Sequence, residues 1–172
     1  HKSDAGGVII GLSTAAEVKE AFDTIVTRGR GYKPEAEIEG VLVQKMASPG
    51  VEVIMGLNRY PIFGPLLMFG SGGIFVEVFQ DVAFRLAPIG RNEARRMVRE
   101  IKGYKVLQGF RGKPKGDIES VEKCLVALSN MAMNHPEIVE LDINPLLVHA
   151  EGEAATAADC RMILKAPGGD PT

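Results

Sequence analysis

One short segment places oxygen-bearing side chains on every second residue. Glu140, Asp142 and Asn144 alternate with apolar residues within 138–148. Alternate side chains of a strand share a face, so Asp142 and Asn144 are predicted to lie about 7 Å apart. That spacing suits one hydrated Mg²⁺, which prefers oxygen ligands and leaves positions for nucleotide phosphates. Asp159 on the next predicted strand comes beside Asn144 if the two strands form a hairpin. The pattern is also typical of a strand with a solvated face, so both interpretations stay open.

Two glycine clusters are candidate phosphate contacts. They are Gly6-Gly7 and the GSGG segment at 70–73. Backbone N–H groups of such segments approach anions closely because no Cβ intervenes. Tight turns use glycine equally, and neither cluster matches a Walker A loop or the dinucleotide fingerprint. The glycines by themselves therefore leave the choice between a phosphate cradle and a structural turn open.

Three histidines are candidates for proton or phosphoryl chemistry. A histidine can accept a phosphoryl group on a ring nitrogen or exchange a proton near neutral pH. A histidine at a chain end such as His1 is more often a tag remnant or a solvated terminus than a functional group. His135 and His149 fall at the ends of a predicted helix and a predicted strand, so we expect structural roles for both.

Two further charged residues lie in or beside apolar runs. Arg85 is predicted to form an ion pair with Glu77 or Asp81, which share its face of a strand. Glu52 follows a Pro-Gly turn, where it is either a charge on a hairpin or part of a site.

Composition restricts the classes of function. The 172 residues are 45% hydrophobic and 24% charged, which is typical of one globular domain. Twenty basic and 22 acidic residues give a net charge of −2, so nucleic acid is not expected as a ligand. Two scattered cysteines favour a reducing cytoplasm over a disulfide framework. No apolar run is long enough to span a bilayer, and no membrane partner is expected.

The elements that must position these residues are a mixed, largely antiparallel sheet and flanking helices, an α+β class. A hairpin through Ser48-Pro49-Gly50 is predicted to join two of the strands. Thr14 and Glu17 have capping-box spacing, and the first helix is expected to stop at Gly29 or Gly31. Residues 103–116 are expected to form a surface loop. The predicted helices cover 14–28, 91–102 and 117–134, and the predicted strands cover 8–12, 41–46, 51–57, 66–69, 74–79 (continued by 82–86), 138–148 and 156–164.

Four ordered motifs resemble the ATP-grasp domain of NDP-forming acyl-CoA synthetases, the ADP-forming acetate–CoA ligases and their relatives. They extend over nearly the whole chain, and read HKSDAGGV, VLVQKMASPGVEVIMG, FGPLLMFGSGGIFVEVFQDVAFRLAP and VELDINPLLV. The resemblance implies that acyl-CoA, ADP and phosphate are converted to acid, CoA and ATP through a phosphohistidine. Catalysis of such a transfer depends on positioning and on charge neutralisation.

The resemblance also implies roles for individual residues. Asn144 and Asp159 correspond to the Mg²⁺ ligands, and Asp142 is the catalytic residue of the acidic position in that motif. His1 matches a histidine that receives the phosphoryl group as a second relay, which makes it a candidate nucleophile. The implied nucleotide contacts are Gly6, Gly7, the hinge Val43, Gln44, Lys45 and Met46, and Glu52, with Gly72 and Gly73 as further backbone donors.

The resemblance further implies a protein that is more than this chain. In the family the domain begins upstream, with strands and a lysine, so an N-terminally incomplete ATP-grasp domain over 1–165 with a flexible tail at 166–172 is expected. The nucleotide site is expected over the sheet, between a 41–59 hairpin and the strands of 139–164. The expected partner is the CoA-binding and ligase region, in cis or as another subunit, with a second copy of the chain as a further candidate.

Full synthetase activity is not expected from this chain alone. The alternative is a non-catalytic regulatory module of the same fold, such as one fused to a lysine acetyltransferase. His1, Asp142, Asn144 and Asp159 favour catalysis, because a regulatory module has no need of them. Neither the acyl substrate nor a preference for ADP over GDP follows from the residues.

Overall fold

The computed structural model describes residues 6–73 and 79–165. The chain divides into two compact units, with the boundary between Ala47 and Ser48, and each is described by itself. His1 and the tail at 166–172 lie outside the described residues, as does most of the strand predicted at 74–79.

The first unit is built on helix α1 (Ala15–Tyr32), and its predicted capping box is confirmed. The Glu17 amide donates to Thr14 Oγ1 at 3.2 Å, while the Glu17 carboxylate accepts from the Thr14 amide at 3.0 Å. The predicted stop at Gly29 or Gly31 is wrong, because the helix continues to Tyr32. A Cβ on Gly29 would lie 3.1 Å from Ile38 Cδ1, so this glycine allows close packing and does not end the helix.

Two strands predicted in the first unit are not formed. Residues 8–12 and 41–46 are irregular, and within the described part of the chain no backbone–backbone hydrogen bond involves either segment. A strand needs a neighbour that pairs with its N–H and C=O groups, and β-branched sequence alone does not supply one. The hairpin predicted for 41–59 is therefore wrong as well.

The second unit contains an antiparallel sheet whose strand order is β3-β2-β1-β4-β5, with β6 also paired to β4. The strand predicted at 51–57 pairs with β2 and β4 and not with 41–46. The strand predicted at 156–164 is broken into two pieces. The strands are β1 (Val51–Tyr60), β2 (Gly64–Ser71), β3 (Val82–Leu86), β4 (Ile138–Val148), β5 (Thr156–Ala157) and β6 (Cys160–Leu164).

In the described part of this unit, three helices accompany the sheet: α2 (Arg91–Glu100), α3 (Tyr104–Leu107) and α4 (Ile118–Asn134). Helices α2 and α4 pack against each other and against the sheet, and both were predicted to within two residues. The surface loop expected at 103–116 is wrong in part, because it contains α3 and buries Leu107 completely. Every helix in the described ranges is too short or too polar to cross a bilayer.

The core of the second unit lies between the sheet and these helices. Its largest fully buried side chains include Phe69, Met55, Leu67, Met97 and Leu125. On β1 and β2 these alternate with residues of the opposite face, as the strand period requires. The α2–α4 layer thus covers one face of the sheet.

Arg59 ties the end of β1 to the end of α4. Its guanidinium donates to the carbonyl oxygens of Ile138 at 2.9 Å, His135 at 3.1 Å and Ala132 at 2.5 Å. The last carbonyl groups of a helix have no partner within the helix, so a cation at this position satisfies them. This contact fixes α4 relative to the start of β4, the strand that carries the predicted ligands.

Candidate functional site

The sheet face opposite the helices carries a continuous cross-strand row. Phe84, Met68, Gly56, Asp142 and Arg161 are successive partners from β3 to β6. A Cβ on Gly56 would lie 2.6 Å from a backbone oxygen of β4 and 3.5 Å from Asp142 Oδ1. The glycine therefore lets β1 and β4 approach closely where the Asp142 carboxylate lies.

A bulge in β4 brings the predicted ligands together. Asn144 and Pro145 both lie opposite the single residue Ile54, because the β1–β4 register shifts there. The backbone N–H of Asn144 donates to the backbone carbonyl of Asp159 at 3.1 Å. The backbone N–H of Ala158 donates to the backbone carbonyl of Pro145 at 3.0 Å. The bulged residues of β4 thus pair with residues 158 and 159, which lie between β5 and β6. The predicted proximity of Asn144 and Asp159 is confirmed, and their role as ligands stays a prediction.

The electrostatics around Asp142 favour a cation. Burial raises the pKa of Asp142 above its usual value, the charges of Glu140 and Asp159 raise it further, and Arg161 opposes them. Burial also raises the pKa of the Cys160 thiol, with added contributions from Asp142 and Asp159. Clustered like charges disfavour ionisation, so a bound cation would stabilise both carboxylates.

The donor set suits magnesium. Across 6–73 and 79–165, no group of three His, Cys, Asp or Glu side chains is arranged to hold a metal. Two carboxylates and one amide oxygen remain, from Asp142, Asp159 and Asn144. Mg²⁺ uses few protein ligands and completes its shell with water and phosphate oxygens, so this set fits it. Glu140 forms an ion pair with Arg161 at 3.1 Å and has a structural partner.

A pocket of about 290 Å³ lies where β1 begins and β2 ends. Among the described residues, Glu52 is the one charged member of its lining. The Gly72 amide donates to the Glu52 carbonyl at 3.0 Å, and a Cβ on Gly72 would lie 2.7 Å from the Glu52 carbonyl carbon. Gly73 has φ +62° and faces the Glu52 carboxylate. The other lining residues are Gly50, Val51, Val53, Ser71, Ile101, Gly103 and Val106.

The ion pair predicted for Arg85 is wrong with respect to Asp81. Arg85 contacts Glu93 at 2.6 Å and Glu100 at 2.5 Å, both on α2. Glu77, the other expected partner, lies outside the described residues. Arg85 shares the core-facing side of β3 with Ala83, next to α2, so the packing of the helix decides its partner.

Sequence reasoning missed the role of Asp81. Its buried carboxylate accepts hydrogen bonds from Ser71 Oγ and from the amides of Lys102 and Gly103. Burial acts to raise the pKa of Asp81, but these hydrogen bonds outweigh it and hold the pKa below its usual value. The donors are 10 to 22 residues away, so no local motif reveals them.

The remaining predicted contacts belong to the first unit or lie outside the described residues. Gly6 has φ +62°, and its carbonyl accepts a hydrogen bond from Arg28 Nη1 at 3.2 Å. Gly7 lies in neither a helix nor a strand, and residues 43–46 are exposed. Their roles as nucleotide contacts stay predictions. His1, the predicted nucleophile, lies outside the described residues.

The comparisons with known proteins identify the family. The ATP-grasp domain family model matches residues 1–164. The β subunit of ADP-forming acetate–CoA ligase I from Pyrococcus furiosus is 48% identical, over 95% of this chain and 70% of that subunit. This chain therefore belongs to the ATP-grasp domain family, in the group of the ADP-forming acyl-CoA synthetases.

Other relatives are much longer than this chain. ADP-forming acetate–CoA ligase I from Archaeoglobus fulgidus and ADP-forming 4-hydroxybutyrate–CoA ligase from Nitrosopumilus maritimus are each 47% identical over 95% of this chain. The chain spans 24% of the length of each. The same region thus occurs both in a separate β subunit and within a longer single chain.

Solved structures confirm the predicted fold. A dinucleotide forming acetyl-coenzyme A synthetase 1 from Ca. Korarchaeum cryptofilum, in complex with coenzyme A and Ca-AMPCP, matches with a TM-score of 0.89 and 44% identity, over 95% of this chain and 70% of that chain. A second structure of that protein holds Mg-AMPPCP, with a phosphohistidine segment pointing towards the nucleotide binding site. It matches with a TM-score of 0.82 and 41% identity, over 96% of this chain and 71% of that chain.

Proposed function

We propose that this chain is the nucleotide-binding, phosphoryl-transfer part of an ADP-forming acyl-CoA synthetase. The complete enzyme converts acyl-CoA, ADP and phosphate to acid, CoA and ATP through a phosphohistidine. The observation that carries the proposal is the β4 bulge, which sets Asn144 against Asp159 beside Asp142. The relatives are consistent with it, since one of them holds Mg-AMPPCP.

Asn144 and Asp159 are the residues that would hold Mg²⁺ in this proposal. When bound, the ion supplies positive charge to the phosphate oxygens, which carry the charge of the phosphoryl group in transit. Gly73 is the backbone donor proposed for phosphate, because the Gly72 N–H already donates to the Glu52 carbonyl at 3.0 Å, and Glu52 is proposed to face the sugar side of the nucleotide. Each of these groups positions the nucleotide or neutralises phosphate charge, which is the main contribution a protein makes to phosphoryl transfer.

Asp142 and His1 are the proposed catalytic residues. Burial and the neighbouring carboxylates raise the pKa of Asp142, and a partly buried carboxylate at this position can orient an imidazole. In this scheme the N–P bond of the phosphohistidine on the CoA-binding region breaks as a new N–P bond forms on a His1 ring nitrogen. That bond breaks in turn as the phosphoryl group is transferred to a β-phosphate oxygen of ADP, which leaves both histidines free. A histidine relay divides one long transfer into two shorter ones.

The partner we infer is the CoA-binding and ligase region, in cis or as another subunit. A second copy of the chain is the further candidate, and cytoplasm is the location we propose. Cys124 and Cys160 are free thiols, which agrees with a reducing compartment. The acid and CoA are expected to bind to that partner region, so substrate choice lies there.

Calorimetric titration with Mg²⁺ and ADP tests this proposal. Wild-type chain is expected to bind ADP only with Mg²⁺ present, and Asn144→Ala/Asp159→Ala is expected to lose that binding, because both proposed ligand side chains are gone. The matched control is Asn134→Ala/Glu153→Ala, which removes one amide and one carboxylate at exposed positions and is expected to bind like wild type.

Two results would contradict it. Binding by Asn144→Ala/Asp159→Ala equal to that of wild type would remove both residues from the metal site. If the wild-type chain does not bind ADP, the titration is repeated on a chain extended to the length of the β-subunit relatives. Absence of ADP binding by the extended chain would favour the regulatory alternative.

A further inference from the structure

Asp81 is a buried carboxylate to which the metal and nucleotide proposals give no role. Only 8% of the residue is exposed. Its two oxygens accept from Ser71 Oγ at 2.5 Å, from the Lys102 amide at 2.7 Å and from the Gly103 amide at 2.8 Å. The donors come from the end of β2 and from the segment between α2 and α3. One side chain thus joins two parts of the chain that are separate in sequence.

Both parts line the same pocket. Ser71 and Gly103 belong to the lining of the 290 Å³ pocket, together with Glu52 and Gly72. A Cβ on Gly103 would lie 2.1 Å from Ser71 Oγ, so the segment after α2 lies directly against the Ser71 hydroxyl. The Asp81 carboxylate therefore holds two walls of the pocket in contact.

The contacts continue from Asp81 to the glycine turn. The Ser71 amide donates to the Asp81 carbonyl at 3.1 Å, so both the backbone and the side chain of Ser71 are fixed by one residue. The next residue, Gly72, donates to the Glu52 carbonyl at 3.0 Å. Its position against Glu52 is set from one side by β1 and from the other by Ser71.

We propose that Asp81 is a positioning residue that locks the Gly72–Gly73 turn against Glu52 and thereby fixes the shape of the pocket. The ligand of that pocket, a Mg²⁺-bound adenine nucleotide, rests on the proposed function above. The positioning role of Asp81 does not rest on the proposed function, because it concerns contacts within the chain alone. A carboxylate is required, since three donors converge on it and an amide group would present an N–H to at least one of them.

Amide hydrogen exchange provides the test, with the Gly72 amide as local reporter and the Met55 amide in β1 as reporter of global opening. The variants are Asp81→Asn and Ser71→Ala. Ser129→Ala is the matched control, because Ser129 is also fully buried and its hydroxyl accepts from the Ile89 amide at 2.9 Å outside the pocket lining.

In Asp81→Asn and Ser71→Ala, we expect the ratio of Gly72 to Met55 exchange rates to rise about tenfold, the effect of losing one buried hydrogen bond. In Ser129→Ala the ratio is expected to stay that of wild type. An unchanged ratio in Ser71→Ala, or an equal rise in Ser129→Ala, would overturn the positioning role. Ser71→Ala decides the matter if Asp81→Asn does not fold.

A second readout links the turn to the ligand. The Kd for ADP with Mg²⁺ is expected to rise about tenfold in both pocket variants and to stay unchanged in Ser129→Ala. If the wild-type chain binds no ADP, the proposed function fails while the exchange ratio still decides the role of Asp81. If the ratio rises but the Kd does not, the turn is positioned by Asp81 without contacting nucleotide, and the ligand part is wrong.

Discussion

The two compact units use similar sequence patterns and reach different structures. The second unit buries a cluster of twenty apolar residues between its sheet and helices. In the first unit, Ala21 alone among the described residues is buried, while Ile10 and Leu42 are 72% and 81% exposed. Both units contain β-branched runs, but strands form only where neighbouring strands pair with them. Local propensity is thus a weaker determinant than the availability of a hydrogen-bonding partner.

This contrast predicts that stability is concentrated in the second unit. Its core, its antiparallel ladder and the Arg59 contact to α4 all lie within residues 48–165. The first unit contains a well-capped helix with a pocket of about 140 Å³ beside it, where packing is incomplete. Matched substitutions in the two units test this difference in stability.

The largest expected difference is between two phenylalanines. Phe69→Ala, at a side chain with 0% exposure, is expected to cost about 3–5 kcal/mol of unfolding free energy. Phe22→Ala, at a residue 46% exposed, is expected to cost less than about 1 kcal/mol, since little contact area is lost. Denaturant titration followed by circular dichroism measures both. Equal costs would show that the first unit has a core of comparable importance.

An intermediate difference is expected between two arginines. Arg59→Ala removes three hydrogen bonds to carbonyl groups at the end of α4 and the start of β4 and is expected to cost about 2–3 kcal/mol. Arg28→Ala removes one exposed bond to Gly6 and is expected to cost about 0.5 kcal/mol or less. Thermal unfolding compares the pair. A loss for Arg28→Ala as large as for Arg59→Ala would contradict the proposed distribution of stability.

The smallest expected effect is a pH dependence of opposite sign in the two units. Burial, with the charges of Glu140 and Asp159, raises the folded-state pKa of Asp142 above 3.8. Ionisation of Asp142 therefore costs stability as pH rises from 3.8, the ordinary value, through the raised folded-state pKa. Asp142→Asn is therefore expected to raise Tm by roughly 1–3 °C at pH 7 and to have no such effect below pH 3.8.

Glu17 in the first unit provides the opposite case. Backbone hydrogen bonds from Ser13 and Thr14 lower the pKa of Glu17 below 4.5. Its contribution to α1 is present above that value and is lost as pH falls through the lowered pKa. Exchange rates in the first turn of α1 are expected to respond to Glu17→Ala at pH 7 and not under acid conditions.

A Tm unchanged in Asp142→Asn at pH 7 would show that solvent already screens the acidic cluster.

Several features could be predicted because their physical causes are local. The Thr14–Glu17 capping box depends on residues three apart, and the Asp117 cap of α4 accepts from the Ser120 amide at 3.0 Å, again three residues away. Helices α2 and α4 follow from their apolar periodicity. The β4 residues of the metal proposal were visible as an alternation of acidic and apolar side chains.

Other features depend on contacts between distant residues. Nothing within 41–46 indicates that it lacks a strand partner, and β1 pairs with β4, nearly ninety residues away in sequence. The Asp81 hydrogen bonds reach across more than twenty residues to Gly103. The partner of Arg85 depends on which side of β3 helix α2 covers.

Residue types along the chain show which side chains are available for chemistry: the oxygen donors of β4, Asp159, Glu52 and the glycines that admit close approach. The tertiary structure brings only some of them together. It placed Asn144 against Asp159 through a bulge, and it fixed Gly72 against Glu52 through Asp81. Residue type and spacing are local properties of the chain, whereas strand register and burial are settled only when distant segments compete for the same hydrogen bonds and the same core.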